Sequence, residues 1–314
     1  MKTRHSLAIL ALGLGLATTA ATTAEAQQVK LMTGPQGGSW YPLGGAIANI
    51  AGKSGINVQV LPGAGIANVL AVSQGKADIG FANSISTVDG VNGRPPFEAV
   101  TENVCNIGTL YPQYFQIVVN ADSGIETVDD AKGQPIAIQP KGNTAEAISA
   151  QLFEVHGMTY DDMSQVSFVS YTDAVSLMKD NNAQMFTLGT TVPASAVMDL
   201  ASARDIRLLE ISDEAFAAMR ELNPGYSKLT IPAGSYPGQD EDVDVIGYAT
   251  HVIARCDLDP DVVYKILDGM VTDKADLVSI VKVMDGTTLE VMASDTGVPM
   301  HEGATRFYQE KGAL

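Results

Sequence analysis

From residue 29 onward the chain alternates short apolar runs with amphipathic segments. VKLMTG has the pattern of a short strand, and the glycine-rich stretch after it leads into YPLGGAIANIAGKSG, where Leu43, Ile47 and Ile50 recur at helical spacing. INVQVLP alternates with period two as a strand does, and GAGIANVLAVSQGKAD supplies a loop and a second helix with Val69, Val72 and Ala77 near one face. IGFANS is a further short buried strand. This β-α-β-α-β order predicts a mainly parallel sheet covered by helices.

NIGTLYPQYFQIVVN is a long β-rich run that ends at the polar break ADSG. A second α/β series starts there. TVDDAKG reads as a short helix, QPIAIQ as a strand and PKGNTAEAISAQLFEVHGM as a loop and amphipathic helix. SQVSFVSY, TDAVSLMKDNN, AQMFTLGT, VPASAVMDLASA and IRLLEI continue the alternation. The polar span NPGYSKLTIPAGSYPGQDEDVD then separates the series from a second long β run, VIGYATHVIARC, and the chain closes in helices that include DPDVVYKILDGMV and ATRFYQEKG. Two long β runs flanking the middle segment predict two crossings between domains. One lobe comprises residues 27–120 and 245–314, the other residues 121–244. Around residues 111–119 and 246–254 these runs are the expected hinge strands.

The first 28 residues, MKTRHSLAILALGLGLATTAATTAEAQQ, place Lys2 and Arg4 ahead of an apolar run and a small-residue Ala24-Glu25-Ala26 exit. That is the pattern of a secretory signal peptide spanning residues 1–26, so the expected location is the periplasm. The formal net charge is −17, a surface that repels nucleic acid and anionic lipid headgroups. An anionic ligand would need a local site that overcomes this field. Cys105 and Cys256 are the two cysteines; an exported chain with two most simply forms one disulfide, which here would tie the start of the chain to its end if geometry allows.

Four loops share one design, in which small or polar residues follow a strand and precede a helix: GPQGGSWYP, PGAGIAN, PKGNTAE and LGTTVPA. Helix N-termini carry unpaired N–H groups and the positive end of the helix dipole, and glycine lets backbone approach a ligand. A nucleotide reading fails on detail. No lysine lies between Leu31 and Gly52 where a phosphate loop needs one, and the dinucleotide-like GAGIAN has Asn68 at its third glycine position. A small carboxylate fits better, held by backbone N–H groups with Ser39, Asn68, Thr144 and Thr190, while Trp40 and Tyr41 pack on its carbon skeleton. His156, His251 and His301 lack metal spacing, QDEDVDVIG lacks the glycine and final glutamate of a calcium loop, and Glu146 is the only Asp, Glu, His or Cys in the four loops. Neither an enzyme nor a cofactor is expected.

VKLMTGPQGGSWYPLGGAIANI, GAGIANVLAVSQGKADIGFANS, LYPQYFQIVV and PGYSKLTIPAGSYPGQDEDVDVIGYATHVIARCDLDPDVVYKI together resemble the TAXI family of TRAP-transporter solute-binding receptors. The resemblance implies two α/β lobes of the type II periplasmic-binding-protein fold joined by hinge strands, with a small acid such as glutamate, glutamine or a 2-oxoglutarate-like compound between them. It also implies a TRAP membrane permease as partner, driven by an ion gradient. Here GGSWYP stands where the family has GGTYYP, and KGNTAE where Gly-Ser-Gly-Thr-Glu is commoner; Trp40 removes a hydroxyl and Asn143 adds an amide. The expected ligand contacts are Gly38, Ser39, Trp40, Tyr41, Gly65, Ala67, Asn68, Asn83 and Ser84 on the first lobe and Gly142, Asn143, Thr144, Thr190 and Thr191 on the second. Tyr111, at the first crossing, faces the cleft or packs in the hinge. The protein is expected to be a monomer. A sensory binding protein serving a membrane kinase, or an enzyme on the same fold, are the competing readings.

Overall fold

The computed structural model describes residues 28–34 and 39–314, so the signal-peptide expectation and Gly38 lie outside the described residues. In chain order the elements are β1 (Gln28–Met32), α1 (Trp40–Lys53), β2 (Asn57–Leu61), α2 (Gly65–Ser73), β3 (Ile79–Asn83), α3 (Ser84–Val91) and β4 (Val104–Asn120). Next come β5 (Pro135–Ile138), α4 (Thr144–Val155), β6 (Gln165–Phe168), α5 (Tyr171–Lys179), β7 (Met185–Thr190), α6 (Ser195–Ala201), β8 (Ile206–Leu208), α7 (Asp213–Leu222) and β9 (Ser227–Ile231). The chain ends with β10 (Val243–Arg255), α8 (Pro260–Thr272), α9 (Lys274–Ile280), α10 (Leu289–Met292) and α11 (Glu302–Lys311).

All ten strands share hydrogen bonds in the order β2-β1-β3-β10-β4-β7-β5-β6, with β8 on β4 and β9 on β10. Pairing is parallel at both ends and antiparallel in the middle. β4 and β10 are long because each serves both ends. β4 pairs with β10 from Val104 to Phe115 and with β7 from Tyr114 to Val119. β10 pairs with β9 from Val243 to Gly247 and with β3 from Thr250 to Ala254. Two register shifts interrupt the β4–β10 ladder, so that Leu110 and Ile107 each bulge out of it. The result is a two-lobed α/β fold with two crossing strands.

Separate apolar cores define the lobes. The first joins β1, β3 and the early part of β4 to α1, α8 and α11, with Leu43, Ile47 and Ile50 as the buried stripe of α1 and Phe307 and Tyr308 closing the far side. The second lobe packs α4 and α7 on one side of its sheet and α5 and α6 on the other. Val69 and Val72 are buried on α2, whereas Ala77 lies beyond the helix end and is buried in the turn that follows.

Three elements depart from the sequence pattern. Helix α3, SISTVDGV, is buried on nearly every side, so it carries no amphipathic period. Helix α7 follows IRLLEI directly, started by Ser212, whose hydroxyl accepts from the Ala215 N–H. The polar span 223–244 contains β9, whose ladder to β10 supplies the stabilisation its alternating, half-exposed sequence lacks.

Cys105 and Cys256 form a disulfide, with Cα atoms 5.1 Å apart, because Cys105 pairs with Ala254 in the ladder and Cys256 follows just beyond it. The bridge closes a loop of sequence separation 151. Constraining so long a loop in the unfolded chain stabilises by about 2–5 kcal/mol. A Cys105→Ala/Cys256→Ala double variant should therefore melt at a lower temperature by calorimetry, and an unchanged melting temperature would contradict that contribution.

Candidate functional site

Where the crossing strands pass between the lobes they floor a cleft of about 220 Å³. First-lobe residues Ser39, Trp40, Gly65 and Asn83 form one wall, and Asn143, Thr144, Tyr171 and Thr190 form the other. Gln113 of β4 and Tyr248 of β10 lie opposite each other in register and form the floor. The walls touch: Asn83 Nδ2 donates to Thr144 Oγ1 at 2.9 Å, and Ser86 Oγ lies 3.1 Å from the same oxygen. Gly65 permits this approach, since a Cβ there would lie 3.1 Å from Thr144 Oγ1. The structure is therefore the closed arrangement of the two lobes.

Among the described residues, no side chain that is charged at neutral pH lines the cleft. Among the described residues Tyr171 and Tyr248 are its only titratable lining groups, and burial pushes both phenols above their ordinary value, so they stay neutral. Trp40, Gly65, Thr144 and Tyr171, the first residues of α1, α2, α4 and α5, all line the cleft, Tyr171 also reaching the Gly189 backbone with its hydroxyl. α1 and α2 have no acidic residue in the first turn and no side chain capping the helix, which leaves their N–H groups and dipoles uncompensated. Among the described residues the Asn83 Oδ1 and Gln113 Oε1 atoms are buried without a partner. Trp40 turns one ring face to Phe81, with centroids 5.6 Å apart, so it is both a core aromatic and a cleft wall.

Of the residues singled out by sequence, Ser39, Trp40, Gly65, Asn83, Asn143, Thr144 and Thr190 come together around the cleft. Others are placed elsewhere. Asn68 is buried and ties three segments, its Nδ2 donating to the Thr33 and Phe81 carbonyls and its Oδ1 accepting from the Ala64 N–H. Ala67 is exposed on α2, Gly142 occupies an exposed turn at φ +87°, and Tyr41 and Thr191 are outside the lining. Ser84 accepts from the Ala249 N–H on the far side of the strands. Tyr111 is buried in the first core, and burial raises its pKa against the pull of nearby Ser39, Trp40 and Thr250; its hydroxyl has no hydrogen bond of normal geometry. The residues of the QDEDVD stretch are engaged locally: Asp242 accepts from the Ala233 N–H and Asp244 pairs with Lys228.

Sequence reading missed Gly34, Ala64, Gln113, Tyr171, Gly189 and Tyr248 in the lining. Gln113 and Tyr248 belong to the two long β runs, but only their register shows that they face one another. Gly189 is fixed by close approach, as a Cβ there would lie 2.1 Å from the Tyr248 hydroxyl, and its N–H and carbonyl both meet the Tyr171 hydroxyl.

Beside the cleft, α3 makes a second contact between lobes. Asn223 Nδ2 donates to the Ile85 carbonyl and to Asp89 Oδ1, both at 2.9 Å, and Arg94 reaches the Leu222 carbonyl. Burial pushes the Asp89 carboxyl up to about 6, against the attraction of Arg94 and the hydrogen bond from Asn223.

This fold and its interlobe cleft are those of a two-lobed periplasmic solute-binding protein. Residues 31–312 match the NMT1-like family, and the chain belongs to it. Among solved structures, the TctC solute binding protein from Polaromonas is similar over 93% of this chain and 100% of its own, at 16% identity and a TM-score of 0.55. PhnD1 from Prochlorococcus marinus, in complex with methylphosphonate, is similar over 91% of this chain and 99% of its own, at 10% identity and a TM-score of 0.55.

Two outcomes test these assignments. Replacing Asn68 with leucine strands two buried carbonyls, at a cost of about 1–3 kcal/mol each; denaturant unfolding should show the loss, and an unchanged midpoint would mean that Asn68 does not hold the fold. An unfolded aspartate releases its proton near 3.8, whereas Asp89 in the folded protein keeps it to about 6. Folding thus takes up a proton between these values, and the contribution of Asp89 to stability falls as pH rises from about 4 to about 6 and then levels off. Asp89→Asn should flatten that part of the melting-temperature profile, and a profile as steep as that of the unaltered protein would count against it.

Proposed function

We propose that the protein is the periplasmic receptor of a TAXI-type TRAP transporter, capturing a small carboxylate and delivering it to the membrane permease. The lobes are residues 27–120 with 245–314, and residues 121–244. The observation that carries this reading is that the first residues of four helices line a cleft in which, among the described residues, no charged side chain takes part. In a chain of net charge −17, an anion needs such a local source of positive potential, and uncapped N–H groups provide it without an arginine. The similarity to a methylphosphonate-bound protein agrees with an oxyanion in this fold, although phosphonate is that protein's ligand.

In this mechanism the open first lobe takes the carboxylate at the starts of α1 and α2, beside Ser39 and Asn83. The second lobe then closes with Asn143, Thr144 and Thr190, and β4 and β10 bend between them. Thr144 closes the lid, since its hydroxyl meets Asn83 and Ser86 across the gap. The unpartnered Asn83 and Gln113 carboxamide oxygens suit N–H donors on the ligand, which favours an amino acid such as glutamate or glutamine over a 2-oxo acid. Chemistry on the ligand is not proposed; capture and release suffice.

A thermal-shift screen of small acids and amino acids on the protein lacking residues 1–26 identifies the ligand, because a binder stabilises the native state by mass action. With that ligand, Thr144→Val should weaken binding by about 1–3 kcal/mol, or roughly 5- to 150-fold, in titration calorimetry. A screen in which no small acid stabilises the protein, or a Thr144→Val variant of full affinity, would sink the assignment.

A further inference from the structure

A cavity of about 560 Å³, larger than the cleft, lies behind the crossing strands. Strand alternation separates the two spaces. Gln113 opposes Tyr248 and Asn83 opposes Thr250, so these side chains share the cleft face, whereas Tyr111, also opposite Thr250, is buried in the first core and borders the rear cavity. Pro112 opposes Ala249 and Thr109 opposes His251, which puts them on the other face, and Thr109, Pro112 and Ala249 line the rear groove. Ser84, one residue beyond Asn83, is also at the rear. Tyr248 borders both spaces.

The rear groove is built from both lobes. Thr109, Ser294, Asp295 and Thr296 come from the first; Arg220, in the last turn of α7, comes from the second. Among the described residues Arg220 is exposed and takes part in no ion pair. The hydroxyls of Thr109 and Thr296 are buried without a partner, and Thr109 is only 5% exposed. The Arg220 guanidinium, the two unmatched hydroxyls and the Asp295 carboxylate, whose Oδ1 accepts from the Gly297 N–H, suit a molecule that carries both a carboxylate and hydroxyl groups.

Rotation of two lobes about strands that pass between them changes the gaps on opposite sides in opposite senses. Closing the cleft opens the rear, and here the walls of the cleft touch while the rear groove is wide. A molecule spanning the rear groove therefore opposes reopening of the cleft, and linkage requires that the cleft ligand strengthen rear binding equally.

We propose that the rear groove is a second site, for a small hydroxy-acid anion, and that its occupancy favours the closed cleft. The coupling rests on the hinge closure proposed above; the site itself does not. Tartrate, a dihydroxy dicarboxylate, is the probe. In a ¹H–¹⁵N NMR titration of the chain lacking residues 1–26, the Gly225 and Gly297 amides report the rear groove, while the Gly65 amide and the indole of Trp40, the single tryptophan, report the cleft. Saturable shifts at all four with one midpoint are expected. Arg220→Ala, which removes the cation, and Ser294→Phe, which fills the groove, should each raise that midpoint at least about tenfold while spectra elsewhere stay unchanged. Absence of shifts at Gly225 and Gly297, or shifts that survive both substitutions, would overturn the site. Shifts at Gly225 and Gly297 without any at Trp40 would overturn the coupling. Because the rear-groove signals do not depend on a cleft ligand, a failure here is distinguishable from failure of the carboxylate assignment, which Thr144→Val tests.

Discussion

The antiparallel ladder between β4 and β10 is the interaction on which the rest of the molecule depends. Each strand is part of two half-sheets, so the ladder holds the lobes together and fixes where their edges meet. Along it Gln113 donates to the Thr250 hydroxyl at 2.7 Å, locking the floor of the cleft. At its first-lobe end the Cys105–Cys256 bridge prevents the strands from separating. Bulges at Leu110 and Ile107 break the ladder between that clamp and the cleft, where a strand pair most readily twists. Clamped at one end and irregular in the middle, the pair has the mechanical form of a hinge.

The anion proposed for the cleft would approach a strongly acidic protein. Surface carboxylates repel it at a distance, but that field is screened over roughly 8 Å at physiological ionic strength, so the local dipoles decide the outcome at contact. Most helices gain stability from a capping side chain or an acidic first turn. α1 and α2 have neither, so their N-terminal N–H groups remain available. α4 and α5 are capped by Asn143 and Ser170 and carry Glu146 and Asp173 in the first turn, which makes them the less polarising wall. The asymmetry fits initial capture on the first lobe.

Polar contacts join the lobes beside the packing of Ile85 into the second core. Asn83 and Ser86 meet Thr144, and Asn223 meets Ile85 and Asp89. Each is a hydrogen bond worth about 1 kcal/mol net, small enough for a ligand to tip the balance. Asp89 adds a titratable group to this surface, placed by α3, the helix that leaves the first sheet and packs Ile85 into the second core.

Much of this was legible in the chain itself. Period-two and period-3.6 patterns located the strands and the amphipathic helices, and the two long β runs announced the crossings, because local backbone preference and one-sided burial leave a mark on neighbouring residues. α3 left none, being buried on all sides, and β9 owes its existence to a partner. The loops of the cleft could be found from Ser39, Gly65, Asn143 and Thr190, since glycines and capping residues signal a helix start. Which of their neighbours point inward could not: Asn68 had the chemistry of a ligand contact but is enclosed as a structural tie, while Gln113, Tyr171 and Tyr248 come to the site from strands and helices far apart in sequence. Sequence determined most of the strands and the amphipathic helices, which depend on residues close along the chain. Only tertiary structure decided the register of β4 on β10, the bridging of Cys105 to Cys256 and the division of one interlobe space into a front cleft and a rear groove. Those depend on how distant segments meet, and no local pattern encodes that.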